Sequence, residues 1–363
     1  MLRHRGFCLS LLVLLAGAAA CSPSAKPASR SGGPTGWPAA VDAIATYQAA
    51  DRQRMLESGA REEGTVTWYT VLAGDIVDAL AQGFQQKYPY IKVDANRPSG
   101  QRAILTKVNQ EAQAKHYSVD VVQSGLTDLL PIRDDVKGLT PYFTPEAKSR
   151  PQQAVTPASG GLSWWINDSD SYIGFAYNTN AIPDAIAPKT TKDLLNPALK
   201  GKMAVVSTSG VPWVGNVLAH ESESFVQQLS KQDIAVHEIS AKALADLVVS
   251  GEVAASPTIY SSHASQAIQK GAPIKWVPLE PVLDGAYSTA IALHAPHPHA
   301  ALLFADFLLG PDAQKIFQTY LYGNPSRDPG FKSWVAGQGE TADQFEKDYN
   351  HWQDDFTKSF VQK

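Results

Sequence analysis

Thr65-Val-Thr-Trp-Tyr-Thr70 is the stretch on which the fold prediction depends. Its β-branched and aromatic residues favour a strand. Residues 75–87 follow with apolar side chains every three or four positions, which predicts an amphipathic helix. Residues 91–95 then provide the next strand. A strand, a helix and a strand at this spacing predict a βαβ unit, and therefore a parallel sheet with helices on its faces.

The same alternation continues along the rest of the chain. Further predicted strands are 119–123, 173–177, 202–206, 253–260 and 288–293, and further predicted helices are 100–114, 241–250, 261–270 and 300–309. Near the C-terminus, aromatic residues recur every three or four positions, which predicts a buried helix face: Phe345, Tyr349, Trp352, Phe356 and Phe360. These patterns predict an α/β protein of about two domains, each a mostly parallel sheet flanked by helices.

Composition limits the class of partner. The chain has 363 residues and a formal net charge of −4, and its first twenty residues hold two arginines and no acid, so their removal leaves −6. A mildly acidic chain without basic blocks indicates no nucleic-acid partner. The only cysteines are Cys8, in the predicted leader, and Cys21. The mature chain therefore cannot form an internal disulfide or a thiolate metal cluster.

The N-terminus indicates export. Arg3 and Arg5 precede a short apolar run, and three alanines stand directly before Cys21, which is typical of a secretory signal peptide over residues 1–20. Residues 21–42 are rich in Ser, Pro, Gly and Ala, which predicts a flexible tether. The small residues before Cys21 resemble the lipobox of bacterial lipoproteins, which implies a lipidated cysteine and a membrane anchor. Ordinary cleavage at the same bond, giving a soluble periplasmic protein, is the alternative.

Four Ser-, Thr- and Gly-rich turns follow predicted strands, two in each half of the chain. In open α/β sheets, ligands bind at the carboxyl ends of the strands. A helix that begins there offers free backbone N–H groups and a partial positive charge, Ser and Thr add hydroxyl donors, and Gly allows close backbone approach. We therefore predict a shared cleft for a small polar or anionic ligand. Its candidate residues are Ser99, Gly100, Arg102, Ser124, Gly125, Ser207, Thr208, Ser209, Gly210, Tyr260, Ser261 and Ser262. Trp213, just inside the third turn, either walls this cleft or packs in the core.

Several segments together resemble the bacterial extracellular solute-binding proteins of ferric-ion and organophosphate-type ABC importers. The first runs from Tyr47 through Asp51-Arg52 and Glu63-Gly64 into the strand at 65–70. The others are residues 174–183, 193–202 and 295–314. The resemblance covers nearly the whole mature chain.

This resemblance implies a type 2 periplasmic binding protein-like fold, in which two α/β lobes are joined by two crossing strands. It places lobe one at residues 43–170 and 286–363, including the C-terminal helices, and lobe two at 171–285. It also implies an exported monomer that is not an enzyme and needs no cofactor. Such a protein captures a small molecule or an ion between its lobes and delivers it to an ABC permease in the cytoplasmic membrane.

The resemblance leaves the ligand open. Ferric-ion binders of this family often have adjacent tyrosines where this chain has Tyr260 followed by two serines. A hard trivalent cation needs several anionic oxygen ligands, and the matched positions supply one phenol. A small organic anion, a phosphonate or a phosphorylated compound is therefore the leading expectation. Ferric iron held by Tyr260 is the alternative, and a secreted hydrolase is a distant third, because no activated nucleophile or acid–base pair stands out.

Overall fold

The computed structural model describes residues 40–99 and 102–362. The predicted signal peptide over 1–20, the lipidation site Cys21, most of the tether over 21–42 and the cleft candidate Gly100 lie outside the described residues. None of the described helices combines the length and the hydropathy that crossing a membrane requires.

The elements alternate much as the sequence predicts. The helices are α1 (Val41–Ala45), α2 (Arg52–Glu63), α3 (Gly74–Lys87), α4 (Ala103–Ala114), α5 (Leu126–Asp134), α6 (Ser207–His220), α7 (Glu223–Ser230), α8 (Ala241–Ser250), α9 (Ser261–Gln269), α10 (Pro298–Leu309), α11 (Pro311–Thr319) and α12 (Ala342–Phe356). The strands are β1 (Thr65–Thr70), β2 (Lys92–Asn96), β3 (Val121–Ser124), β4 (Leu139–Thr140), β5 (Val155–Pro157), β6 (Ser163–Ser169), β7 (Tyr172–Asn178), β8 (Ala204–Val206), β9 (Ala235–His237), β10 (Ala255–Tyr260), β11 (Ile274–Val277), β12 (Val282–Asp284), β13 (Tyr287–Ala292) and β14 (Ser333–Val335).

Most of the described strands form two sheets. Sheet one has the order β2-β1-β3-β13-β6-β5, with β4 paired to β13, and sheet two has the order β10-β7-β12-β14, with β11 paired to β7. β1 runs parallel to β2 and β3, as the βαβ pattern predicts. β13 is antiparallel to β3 and β6, and β7 is antiparallel to β10, β11 and β12.

The α/β class is therefore confirmed, but both sheets are mixed rather than mostly parallel. The reason lies in the connections that lead into β7 and β13. Each of these strands is entered from the other sheet through a two-residue link, without a preceding helix. These two strands are thus not part of a βαβ unit, so the βαβ pattern does not determine their direction.

The two links carry the chain between the sheets, as a fold with two crossing strands requires. Asp170-Ser171 joins β6 to β7, and Gly285-Ala286 joins β12 to β13. The links are hydrogen-bonded to each other. The Gly285 N–H donates to the Ser171 carbonyl at 3.0 Å, and the Ser171 N–H donates to the Asp284 carboxylate at 3.1 Å. Movement of one sheet relative to the other therefore involves this joined pair of links, together with the longer segment 293–332 that leads from β13 to β14.

The C-terminal segment contacts elements of sheet two. β14 pairs in parallel with β12, and α12 packs against α6. The sequence-based division assigned all of 286–363 to lobe one and 171–285 to lobe two, and those limits stay a prediction. The packing shows that β14 and α12 reach across to the region predicted as lobe two.

Helix α10 forms the centre of the core beside sheet one. Nearly all of its side chains are buried, and the Phe304 ring lies 5.0 Å from that of Trp68 and 4.9 Å from that of Phe84. Farther along the same helix, Asp306 accepts a hydrogen bond from the buried Arg52 at 2.6 Å. Removing one partner of such a buried pair typically costs ~3–5 kcal/mol. These contacts hold α2, α3 and β1 firmly, so that the loops at the carboxyl ends of the strands have a rigid base.

Candidate ligand-binding cleft

Four helices begin around one cavity of about 260 Å³, which we call the helix-end cavity. Residues 102–104 at the start of α4 and residues 125–128 at the start of α5 line it. Thr208 in the first turn of α6 and Tyr260, the N-cap residue of α9, line its other side. The structure thus brings together Arg102, Ser124, Gly125, Thr208 and Tyr260 of the sequence-predicted residues.

The helix ends give this cavity its electrostatic character. α4, α5, α6 and α9 have 12, 9, 14 and 9 residues. The first N–H groups of a helix have no acceptor within the helix, and the aligned peptide dipoles add a partial positive charge there. α4 and α5 follow strands of sheet one, whereas α9 follows β10 of sheet two. The cavity therefore receives backbone donors from both sheets.

Arg102 lies at the cavity, but its charge is balanced. The guanidinium makes a bidentate pair with Glu346, in which Nη1 lies 2.9 Å from Oε2, and Nε donates to the Thr127 carbonyl at 3.2 Å. Arg102 has a φ of 52° and is the N-cap residue of α4, which begins at Ala103. The sequence pattern instead predicted Arg102 within a helix that begins at residue 100. Arg102 therefore shapes the wall and supplies little net charge to a ligand.

The Ser124-Gly125 turn is fixed by contacts on both sides. The Ser124 hydroxyl donates to the Asp128 carboxylate at 2.6 Å. Burial raises the pKa of Asp128, although this hydrogen bond opposes the shift. A Cβ atom on Gly125 would lie 3.0 Å from the Gly285 carbonyl oxygen. The glycine is thus needed for close approach between the start of α5 and the second crossing link.

Two tyrosines stand side by side in the cavity wall. Tyr260 and Tyr287 are hydrogen-bonded to each other, and burial raises the pKa of both phenols. A phenolate ligand for iron would have to overcome this effect of burial. Moreover, among residues 40–99 and 102–362, no three His, Cys, Asp or Glu side chains lie close enough together to hold a metal ion.

The remaining predicted residues that the structure describes do not line this cavity. Ser209 is fully buried, Ser262 is 3% exposed, and a Cβ on Gly210 would lie 2.5 Å from the Phe356 ring. Successive residues of a helix point about 100° apart, so only one side of a first turn can face the cavity. Ser99, Ser207 and Ser261 are not part of the lining either. Trp213 is buried in the core with its ring 5.9 Å from that of Phe360, which favours the packing role left open for it.

Asp284 is the main lining residue that the sequence did not single out. Its carboxylate accepts hydrogen bonds from the backbone N–H groups of Ser171 and Ala286 at 3.1 and 3.0 Å. Burial, together with the nearby Asp170, raises the pKa of Asp284 to about 8. The Asp284-Gly285 pair, two residues before a predicted strand, is a turn signal that could have drawn attention to it.

A larger cavity of about 500 Å³ borders the same Asp284. It is lined mainly by loop residues around Gln152 and Arg327 and by side chains of β6 such as Trp165 and Asn167. It meets the starts of the four helices only at Leu126. It therefore offers fewer backbone donors than the helix-end cavity, despite its greater volume.

Comparison with known proteins agrees with this architecture. AfuA from Actinobacillus pleuropneumoniae, a periplasmic binding protein with fructose-6-phosphate bound, is similar at a TM-score of 0.68 and 18% identity, over 81% of this chain and 99% of that one. Iron-bound HitA from Pseudomonas aeruginosa is similar at 0.64 and 20%, over 80% and 99%. The spermidine/putrescine-binding PotD from Streptococcus pneumoniae is similar at 0.62 and 15%, over 81% and 99%. At these identities the likeness shows the fold, which is that of type 2 periplasmic binding proteins.

The sequence itself identifies the family. No curated protein matches the chain significantly. The family model of bacterial extracellular solute-binding proteins, however, matches residues 70–315, about two thirds of the chain. With the fold and the two crossing links, this match shows that the chain belongs to the bacterial extracellular solute-binding proteins, the substrate-binding components of ABC importers.

Proposed function

We propose that this exported protein captures a small anionic solute in the helix-end cavity and delivers it to a membrane permease. The solute class is an organic anion, a phosphonate or a phosphorylated compound. The two lobes that hold it are residues 43–170 with 286–363, and residues 171–285. The protein acts as a monomer anchored through an acylated Cys21, and intact-mass analysis of the mature N-terminus tests the anchor, since an unmodified cysteine there would contradict it.

The convergence of four helix N-termini on one cavity is the observation that carries this proposal. Because the mature chain is acidic overall, attraction to an anion must come from such local groups. Helix N-termini bind phosphate and carboxylate groups without any cationic side chain. The cavity of about 260 Å³ lies just below the ~300–1,000 Å³ of sites for drug-sized ligands, so it suits a small solute.

Two buried carboxyls in the lining are compatible with an anion. Burial raises the pKa of Asp128 and of Asp284, the latter to about 8. This shift favours the protonated form of Asp284, which as a carboxylic acid can donate a hydrogen bond. Fructose-6-phosphate in AfuA gives a precedent for an anion in a protein of this fold. Iron in HitA gives the alternative, for which the paired phenols of Tyr260 and Tyr287 are the structural argument.

Matched substitutions in one helix turn test the proposal. Thr208 faces the cavity, whereas its neighbour Ser209 is buried away from it. A hydrogen bond to a charged group contributes ~1.5–3 kcal/mol, so Thr208→Ala is expected to weaken binding about tenfold or more. Ser209→Ala is the control and is expected to leave binding unchanged. Isothermal titration with glycerol 3-phosphate, inorganic phosphate and ferric nitrilotriacetate measures both.

Tyr260→Phe separates the two ligand classes. For an anion, this change is expected to weaken binding less than Thr208→Ala does, because the ring and its packing remain. For iron, it removes a direct ligand and is expected to abolish binding. Binding of the ferric complex alone, with a large loss in Tyr260→Phe and none in Thr208→Ala, would overturn the anion proposal.

A further inference from the structure

Another cavity, of about 210 Å³, adjoins the helix-end cavity, and we call it the arginine cavity. Both cavities share Val71, Tyr260 and Tyr287 in their linings. The hydrogen-bonded tyrosine pair therefore stands as a partition between them. Val71, an exposed apolar side chain, lies at the same boundary.

Two cationic side chains, Arg97 and Lys242, line the arginine cavity and do not line the helix-end cavity. Arg97 is held by a hydrogen bond from its Nε to the Leu72 carbonyl at 2.6 Å. Its Nη1 lies 3.1 Å from where a Cβ on Gly74 would stand, so the guanidinium covers the first residue of α3. Lys242 lies in the first turn of α8 and pairs with Asp246. Two more helix starts, those of α3 and α8, thus face this cavity through Ala73 and Ser240.

His263 adds an unused polar group to this lining. Its ring packs edge-on against that of Tyr260, with 5.3 Å between the centroids. Burial and the nearby Lys242 lower the pKa of His263 to about 4, although Asp246 and Asp75 oppose the shift, so the imidazole is neutral at pH 7. Within the described chain its buried Nδ1 makes no hydrogen bond. Such a buried nitrogen costs stability unless a bound group satisfies it.

The tyrosine partition presents a hydroxyl to both cavities. The Tyr260 and Tyr287 hydroxyls are hydrogen-bonded to each other, and Tyr287 is also hydrogen-bonded to the side chain of Ser171. The Tyr260 phenol borders both cavities, so a ligand that spans them can form a hydrogen bond with it at its middle.

We propose that the arginine cavity is a second anion subsite of the same cleft, and that the solute is a short compound with an acidic group at each end. This inference rests on the proposed function and narrows its substrate class. One acidic group binds at the helix-end cavity and the other at Arg97, beside the starts of α3 and α8. The polar atoms between them form a hydrogen bond with Tyr260.

Two nearly identical probes test the second subsite. 3-Phosphoglycerate and glycerol 3-phosphate share a phosphate and a three-carbon chain, but only the first has a carboxylate at the other end. At constant ionic strength, 3-phosphoglycerate is expected to bind at least tenfold more tightly. Arg97→Gln is expected to remove this preference and to leave the Kd of glycerol 3-phosphate within about twofold. Arg61→Gln removes the same charge from the exposed surface of α2 and is expected to preserve the preference.

The outcomes separate this inference from the proposed function. If both compounds bind with the same Kd, or if Arg97→Gln weakens both equally, the second subsite is overturned while the anion-binding function stands. If neither compound nor inorganic phosphate binds or raises the melting temperature, the anion-binding function is overturned and this inference with it. A preference that persists in Arg97→Gln would also overturn the inference, whatever the result for Arg61→Gln.

Discussion

Two buried carboxyls stand where the chain crosses between the sheets. Asp170 accepts hydrogen bonds from Asn167 at 2.8 Å and from the Tyr172 hydroxyl at 2.9 Å. Asp284, on the other crossing, accepts from two backbone N–H groups. Burial raises the pKa of both, and each carboxylate would repel the other. Arg150 opposes the shift of Asp170 but makes its own hydrogen bond to the Leu309 carbonyl.

Asp284→Asn is expected to flatten the pH dependence of stability. An Asp in the unfolded chain ionises near its ordinary pKa of 3.8, whereas Asp284 in the folded chain keeps its proton to about pH 8. As the pH rises through this window, the unfolded state loses its proton first, so folding stability falls. The variant lacks this loss, while its side-chain oxygen can still accept from the backbone. Urea denaturation at pH 5 and pH 8 measures the difference, with the exposed Asp312→Asn as the control. An equal loss of stability in Asp284→Asn and in the wild type would contradict the assignment.

Among the elements, the pair α6–α12 shows why a glycine can be misread. Gly210 belongs to a turn that the sequence assigned to the ligand, yet it and Gly215 make room for aromatic side chains of α12. A Cβ at either glycine would lie 2.5 Å from the ring of Phe356 or of Trp352. Close approach to a ligand and close approach to a helix select glycine equally well. Only the packing of two segments that are distant in the sequence shows which of these two causes applies at a given glycine.

Gly215→Ala is expected to destabilise the protein, although alanine is the better helix former by about 1 kcal/mol. The rigid indole of Trp352 must move, and overpacking of this kind costs ~1–3 kcal/mol. Gly83→Ala in α3 is the comparison, because its nearest neighbour at 2.9 Å is the end of the flexible Ile316 side chain and the Phe307 ring lies farther away, at 3.2 Å. Chemical denaturation is expected to show a lower unfolding free energy for Gly215→Ala than for Gly83→Ala. Equal values for the two variants would refute the packing role.

Local patterns predicted the elements, and non-local contacts determined the rest. The predicted strand 65–70 coincides with β1, and the predicted helix 75–87 differs from α3 by one residue, because side-chain periodicity is a local property. The antiparallel pairing of β13 with β3 depends on segments more than 160 residues apart and leaves no trace in either strand. Ser209 and Thr208 are likewise indistinguishable in a turn motif until the helix orientation is known.

At the scale of the molecule, the cleft is shared between two sheets that are joined by the two short links and by the longer segment 293–332. α4 and α5 begin at the helix-end cavity from the side of sheet one, whereas α9 begins there from the side of sheet two. A ligand that contacts both sides stabilises arrangements in which the two sides are close together. Rotation about a few residues at the links is the hinge motion by which periplasmic binding proteins close.

Ligand binding is therefore expected to make the protein more compact in solution. Small-angle X-ray scattering of the mature protein, with and without saturating 3-phosphoglycerate, should show a smaller radius of gyration in the bound state. Thr208→Ala is expected to need about tenfold more ligand and then to reach the same compact state, because this hydroxyl contributes to affinity rather than to the hinge. An unchanged scattering profile at a concentration that calorimetry shows to be saturating would mean that the links do not act as a hinge. In that case the ligand would bind to one side of the cleft only, and substitutions at Thr208 and at Gly125, which lie on opposite sides, would not both weaken its binding.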